Sequence, residues 1–284
     1  VRMLDRLPAG TRMLWAAGSN GDYPVYVGRG LLTGPLFEGD GPVMPGDGRS
    51  FGFTDDSVGP IYADRVRGLE ETVSVPPGET AKSVSQAEDS LRQMARLGVT
   101  RSDRLVAIGG GVVGDLAGFC AATYQRGIPY VQVPTTLVAQ VDSAYGGKTG
   151  VDLPEGKNYV GAFHLPSAVV TDVDTLATLP ESELKAGLAE VVKTALLAGG
   201  DLWRQVRDLE PGEIASRADL VFDCARYKCG VVAADERDHG LRAALNLGHT
   251  VGHAIEAVTG YSRYRHGEAV ALGLLAALRL SDAE

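Results

Sequence analysis

The chemistry-bearing residues of this chain crowd toward one stretch. The sequence holds five histidines in 284 residues, and three of them, His249, His253 and His266, fall in "NLGHTVGHAIE" and the nearby "RHGE". Imidazoles change charge near neutral pH and ligate divalent metals. On a helix, Asn246, His249, His253 and Glu256 would share one polar stripe, while Leu245, Leu247, Val251, Ala254, Ile255 and Val258 form an apolar remainder. A polar stripe on so apolar a helix is expected to face a cleft rather than bulk water. A lone histidine would read as a hydrogen-bonded core residue; three together point to metal or acid–base work. Spacing alone nominates His249 and His253 as a metal pair, as in HExxH, although the intervening glutamate is absent.

A second stripe lies in "ELKAGLAEVVKTALL". Glu190 stands with Lys193 and Thr194 one turn on, among Leu184, Leu188, Val191, Val192 and Leu196. A carboxylate there is costly unless it is paired or binds metal. A Glu190–Lys193 ion pair on a solvated face also accounts for it. "IGGGVVGD" places Gly109, Gly111 and Gly114 after the apolar strand "RLVAI" and at the start of a helix, the context in which bare backbone N–H groups cradle phosphate. The same glycines suit a tight strand-to-helix turn. No acidic residue follows about 20 positions on to take a ribose, Asp142 being too far, so that carboxylate is expected from Asp55 or Glu79. "VDSAYGGKTGVDLPEGKN" carries Asp142, Lys148, Lys157 and Asn158 on glycine-rich loops, suited to a phosphate or carboxylate, or to solvated surface.

The elements that must position these groups change character along the chain. Up to about residue 178, short apolar runs alternate with helical segments, which argues for a parallel α/β sheet. From "LPESELKAGLAEVVKTALLAGG" onward the pattern is helix after helix. Residues 1–22 contain turn formers and little period and read as a tail or linker, residues 23–178 as an α/β domain and residues 179–284 as an all-α domain. A net charge of -9 argues against nucleic acid, though local lysines can still hold an anionic small molecule. Cys120, Cys224 and Cys229 form no CxxC pair, so they read as reduced and buried in a cytoplasmic protein. No apolar run reaches the roughly 18 residues of a membrane span, and no signal peptide is seen.

Taken in order, "GGGVVGDLAGF", "VQVPTTLVAQVDSAYGGKTGVD", "GKNYVGAF", "TLPESELKAGLAEVVKTA", "DERDHGLRAALNLGHTVGHAIE" and "HGEAVALG" resemble the 3-dehydroquinate synthase family, and more widely the sugar-phosphate cyclases, from about Tyr23 to the end. The resemblance implies a Rossmann-like N-terminal domain binding NAD and an all-α C-terminal domain holding a divalent metal, zinc or else cobalt, in a homodimer. It implies Glu190, His249 and His266 as metal ligands, which moves His253 from ligand to catalytic residue beside Lys148, Asn158 and Arg242. Arg126, Asp142, Lys157, Lys193, Lys228 and Asn246 match the substrate pocket. Asp55, Glu79, Lys82, Gly110, Gly111, Val112, Asp115, Thr135, Thr136 and Thr178 match cofactor contacts. The implied activity converts 3-deoxy-D-arabino-heptulosonate 7-phosphate into 3-dehydroquinate and phosphate. A cyclase acting on an amino analogue or on sedoheptulose 7-phosphate is the neighbouring possibility. Two positions depart from the family pattern: Asp238 stands where glutamate is usual, and Thr175 where the cofactor pocket is often apolar. The family continues for further helices beyond "LRLSDAE", so the helical domain is expected to be incomplete and to expose apolar surface.

Overall fold

The structure is a computed structural model that describes residues 6–19, 21–37, 43, 47–260 and 263–282. Nine strands are described: β1 Arg12–Ala16, β2 Tyr23–Gly28, β3 Ser50–Asp55, β4 Leu69–Val75, β5 Arg104–Gly109, β6 Tyr130–Pro134, β7 Lys148–Leu153, β8 Gly156–Phe163 and β9 Ala168–Asp172. The helices are α1 Gly59–Tyr62, α2 Val84–Arg96, α3 Gly111–Thr123, α4 Glu181–Ala198, α5 Gly200–Arg207, α6 Ala218–Ala234, α7 His249–Val258 and α8 His266–Ser281.

Seven strands form one sheet in the order β1-β2-β9-β6-β5-β3-β4, parallel except for the β1–β2 pair. Strands β5, β6 and β9 are buried at every position, as expected for parallel strands covered on both faces. On one face Phe51, Phe53, Leu105 and Ala107 pack with Ala87 and Met94 of α2 and Leu116 and Cys120 of α3. The other face buries Val106, Ile108, Val131 and Val133 against Leu31, Leu36, Phe37 and Tyr62. Helix α2 starts at Ser83, whose hydroxyl accepts from Gln86 N at 3.2 Å, and stops before Gly98 at φ +67°.

Three readings of the sequence need correction. Residues 12–16 are not tail or linker: they form edge strand β1, with Met13 and Leu14 packed against different core clusters. The run Arg12–Ala16 does not alternate polar and apolar residues, so no period of two marks it as a strand. The segment carrying Lys148, Lys157 and Asn158 is not a set of loops but the antiparallel hairpin β7–β8, whose glycines allow close crossing. Finally, the polar stripe does not include Asn246. That residue ends a 3-10 segment, Leu241–Asn246, and Gly248 at φ +79° breaks the chain before α7 begins at His249. Ile255 is only half-buried, and Val251 and Val258 of the same helix are exposed.

The division near residue 178 separates element types, not cores. Val25, Val27 and Val169 of the sheet share one cluster with Val191 of α4, Val206 of α5 and Leu220 and Cys224 of α6. Burial of this order is worth roughly 1.5–3 kcal/mol per large apolar side chain, so the helices are welded to the sheet edge. Cys120, Cys224 and Cys229 are buried free thiols. No helix among the described residues is long and apolar enough to cross a membrane.

Candidate active site

Helices α4, α7 and α8 bring four groups together. Glu190, 0% exposed, sits on α4. Its Oε1 lies 3.5 Å from His249 Nε2 and 3.5 Å from His266 Nε2. Its Oε2 lies 2.5 Å from Lys193 Nζ. None of these approaches has hydrogen-bond alignment, so both oxygens are buried without a directed partner. A buried carboxylate needs compensating charge; Lys193 supplies part of it at Oε2, and the two imidazoles converging on Oε1 complete a fitting donor set for a divalent cation.

The backs of the rings separate the three histidines. His249 Nδ1 is 3.3 Å from the Leu247 carbonyl, and His266 Nδ1 is 3.2 Å from Glu256 Oε2. Both partners can only accept, so in the neutral ring each Nδ1 keeps the proton and each Nε2, facing Glu190, is the nitrogen open to a metal. The His253 ring is exposed and has no hydrogen bond among the described residues. Ligand atoms of His249, His253 and His266 nevertheless lie within 4.8 Å of one another, so distance alone does not choose between a three-histidine set and a Glu190 set.

Electrostatics follow the geometry. Burial disfavours the Glu190 anion, but His266, Lys193 and His249 outweigh it, and the carboxyl ends below its ordinary value. Burial also disfavours the His266 cation, yet the Glu190 and Glu256 carboxylates push its pKa up to about 9. His253 moves the other way, lowered first by partial desolvation among its neighbours and then by His266, which favours its neutral form. Asp142 is half-buried, and although desolvation disfavours its anion, Lys228 and Lys193 hold it well below the usual carboxylate range; Lys228 Nζ donates to its Oδ1 at 2.6 Å and Lys193 Nζ is 3.7 Å away. Asp142 lies in a π-helical turn, Ala139–Ser143, a distortion that favours functional sites.

The hairpin lysines each meet a carboxylate. Lys148 pairs with Asp238, and Lys157 Nζ lies 3.3 Å from Glu256 and 3.4 Å from Glu79. Asn158, at φ +59°, donates its backbone N–H to Asp152 at 2.7 Å. Arg242 is buried, its Nη1 donating to Glu236 O at 2.6 Å and its Nη2 to Gly146 O at 3.2 Å.

The glycine loop adjoins this cluster. Gly110 caps α3, and a Cβ there would meet Thr136 Cγ2 at 2.8 Å; one on Gly111 would meet Ser143 Oγ at 3.1 Å. Ser143 follows Asp142, so contacts run from the α3 N-terminus through Asp142 and Lys193 to Glu190. The Thr135 hydroxyl is buried with no partner. Lys82 Nζ and Asp115 form a 2.6 Å ion pair, Tyr62 Oη is 2.6 Å from Thr178 Oγ1, and Val112 is half-buried in the first turn of α3. The Asp55 carboxylate accepts from Ser57 N at 2.8 Å and Val58 N at 2.9 Å. A bare helix N-terminus with an unpartnered hydroxyl beside it fits a dinucleotide phosphate. Thr175, unexpectedly polar for a cofactor pocket, is buried and bonded to Gln140 Nε2 at 2.9 Å and to the Asp172 carbonyl at 2.8 Å.

Two expected substrate residues are not brought to the cluster. Arg126 is exposed at the far end of α3 from the glycine loop, a separation of about 20 Å for a 13-residue helix. Asn246 is exposed and lines a groove with Leu197, Leu247 and Leu280. Conversely, neither type nor spacing singles out Asp235, yet it accepts from the N–H groups of His239, Gly240 and Arg242. The one signal in the sequence is an aspartate shortly before a glycine, the mark of a side-chain-capped turn.

A twisted parallel sheet, a glycine-loop helix and a carboxylate–imidazole cluster on helices packed beside it define a dinucleotide- and metal-type enzyme architecture. Family models described as 3-dehydroquinate synthase N-terminal and 3-dehydroquinate synthase C-terminal match residues 72–186 and 187–284. The 3-dehydroquinate synthase of Symbiobacterium thermophilum is 51% identical over 272 residues, covering 91% of this chain and 75% of that one. A solved 2-deoxy-scyllo-inosose synthase, complexed with carbaglucose-6-phosphate, NAD+ and Co2+, is similar with TM-score 0.82 and 26% identity, covering 96% of this chain and 76% of that one. The 2-epi-5-epi-valiolone synthase of Streptomyces hygroscopicus subsp. jinggangensis 5008, with NAD+ and Zn2+ bound, has TM-score 0.78 and 28% identity over 91% of this chain and 74% of its own. The chain belongs to the 3-dehydroquinate synthase family.

Proposed function

We propose that this chain converts 3-deoxy-D-arabino-heptulosonate 7-phosphate into 3-dehydroquinate and phosphate, using NAD and a divalent metal, zinc or cobalt. The observation that carries the reading is the buried Glu190 carboxylate, without a directed hydrogen bond and faced by two imidazole Nε2 atoms at 3.5 Å. Glu190, His249 and His266 hold the metal; Asp55, Glu79, Lys82, Gly110, Gly111, Val112, Asp115, Thr135, Thr136 and Thr178 hold NAD. When bound, NAD supplies transient oxidation of a substrate hydroxyl and the metal supplies Lewis acidity at the resulting carbonyl.

The chain's own residues do the rest. Lys148, Lys157 and Arg242 set cations around a doubly anionic substrate inside an acidic protein. Asn158 orients it from a left-handed backbone position on the hairpin. Asp142, kept ionised by Lys228 and Lys193, accepts from a substrate hydroxyl. His253, whose neutral form is favoured, accepts or returns a proton at Nε2 or Nδ1. Family membership also favours a cytoplasmic homodimer.

Phosphate release from purified protein with NAD and zinc tests the reading. Release is expected with the heptulosonate phosphate and is expected to stop on chelation. Glu190→Ala and His249→Ala are each expected to lower it at least 100-fold, on the order of a lost catalytic group. Full activity in both variants contradicts the ligand assignment. Turnover of sedoheptulose 7-phosphate alone contradicts the substrate assignment.

A further inference from the structure

Glu256 is the buried carboxylate of α7, 2% exposed, and the reaction as proposed gives it no task. Its two oxygens face different parts of the molecule. Oε2 lies 3.2 Å from His266 Nδ1 on α8, and Oε1 lies 3.3 Å from Lys157 Nζ on β8. Thr259, one turn on, donates its hydroxyl to the Ile255 carbonyl at 2.7 Å and the Glu256 carbonyl at 3.2 Å, which steadies the end of the helix carrying this carboxylate.

The Oε2 contact has a chemical consequence. A ring that gave its Nε2 lone pair to a metal beside Glu190, 3.5 Å away, would keep its one proton on Nδ1, and there the Glu256 carboxylate accepts it. His249 achieves the same state with a backbone carbonyl. His266 opens α8, and among the described residues Glu256 is the acceptor behind its ring. The Oε1 contact joins this ring to the hairpin: Lys157 is held between Glu256 and Glu79, so one side chain links a metal-facing imidazole to a substrate-facing ammonium.

We propose that Glu256 is a positioning residue which fixes the tautomer and direction of His266, and so the metal affinity of the site, while holding Lys157 of the hairpin against the same centre. This rests on the metal reading given above.

The test is zinc affinity of the full chain, measured by competition with a chromophoric chelator and paired with the visible spectrum of the cobalt-loaded protein. Glu256→Ala is expected to weaken zinc binding by about 10–100-fold, the usual effect of losing a group behind a ligand histidine, and to shift the cobalt bands. Glu256→Gln keeps an oxygen that accepts from Nδ1–H and is expected to recover most of the affinity and the wild-type spectrum. Should Glu256→Ala fail to fold, Glu256→Gln against Glu256→Asp decides, with the shorter side chain expected to bind zinc more weakly. At saturating zinc, Glu256→Ala is expected to raise KM for the sugar phosphate several-fold through the loosened Lys157. Affinity within twofold of wild type and an unchanged spectrum in Glu256→Ala overturn the proposal, as does Glu256→Gln binding no better than Glu256→Ala. A wild-type chain that binds no zinc overturns the metal reading as well, and is recognised before any variant is made.

Discussion

What stands behind an imidazole decides what its front nitrogen can do. His249 and His266 each have an acceptor at Nδ1, while His253 has none among the described residues. On the proposed reading the first two are ligands and the third moves protons. Replacing His253 with alanine is expected to leave one zinc per chain after dialysis and to lower phosphate release by about 10²–10⁴-fold, the range for a general acid or base. His249→Ala is expected to lose the ion itself. Metal analysis beside the rate assay checks the pair, and loss of zinc in His253→Ala would reverse the roles. This separation was not legible in spacing, which pairs His249 with His253 because they lie one turn apart. The discriminating groups are a backbone carbonyl two residues back and a glutamate whose role depends on where α8 returns. Glu190 was legible in a limited sense: a charged residue in an apolar helix announces a problem, but its partners come from elements 59 and 76 positions away.

At the scale of elements, the segment between α6 and α7 illustrates how backbone order reaches side-chain chemistry. The Asp235 carboxylate gathers three N–H groups, from His239 at 2.9 Å, Gly240 at 2.7 Å and Arg242 at 3.1 Å. The turn so formed carries Asp238, at φ +61° and paired with Lys148, and leads into Arg242. Ser19 N and Oγ close it from the sheet side, both donating to Glu236 at 2.7 Å. The backbone N–H of His239, then that of Arg242, draw the Asp235 pKa down to about 2, below an unfolded value of about 3.9. A depressed carboxyl contributes its stability in full above the unfolded pKa and loses it as pH falls through the folded one. The melting-temperature gap between wild type and Asp235→Asn is thus expected to be constant from pH 7 to about 5 and to close between about pH 4 and 2. A gap that widens on acidification contradicts this account. The alternation of buried strands and helices could be read in advance, because strands covered on both faces are continuous apolar runs. The β7–β8 hairpin could not, since its glycines look like loop, and neither could the break at Gly248, whose positive φ separates Asn246 from the histidine helix.

Across the whole molecule, the sheet and the helices share a core, and that sharing brings two chemistries within reach of each other. Val25 and Val169 pack with Val191, so α4 is fixed against the sheet edge one residue beyond Glu190. From there the contacts through Lys193, Asp142 and Ser143 lead to the α3 N-terminus. The two-part architecture was visible in the sequence as a change of period near residue 178. The continuity of the core was not, because no local pattern tells which strand a distant helix will cover. The central claim is that helices α4, α7 and α8 converge on one ion. Its most direct test is an anomalous-difference map at the zinc edge from crystals of the zinc-loaded chain. The account predicts a single peak bonded at about 2.0–2.2 Å by a Glu190 oxygen, His249 Nε2 and His266 Nε2, with His253 outside the bonding distance. A peak ligated by His249, His253 and His266, with Glu190 turned away, would contradict it.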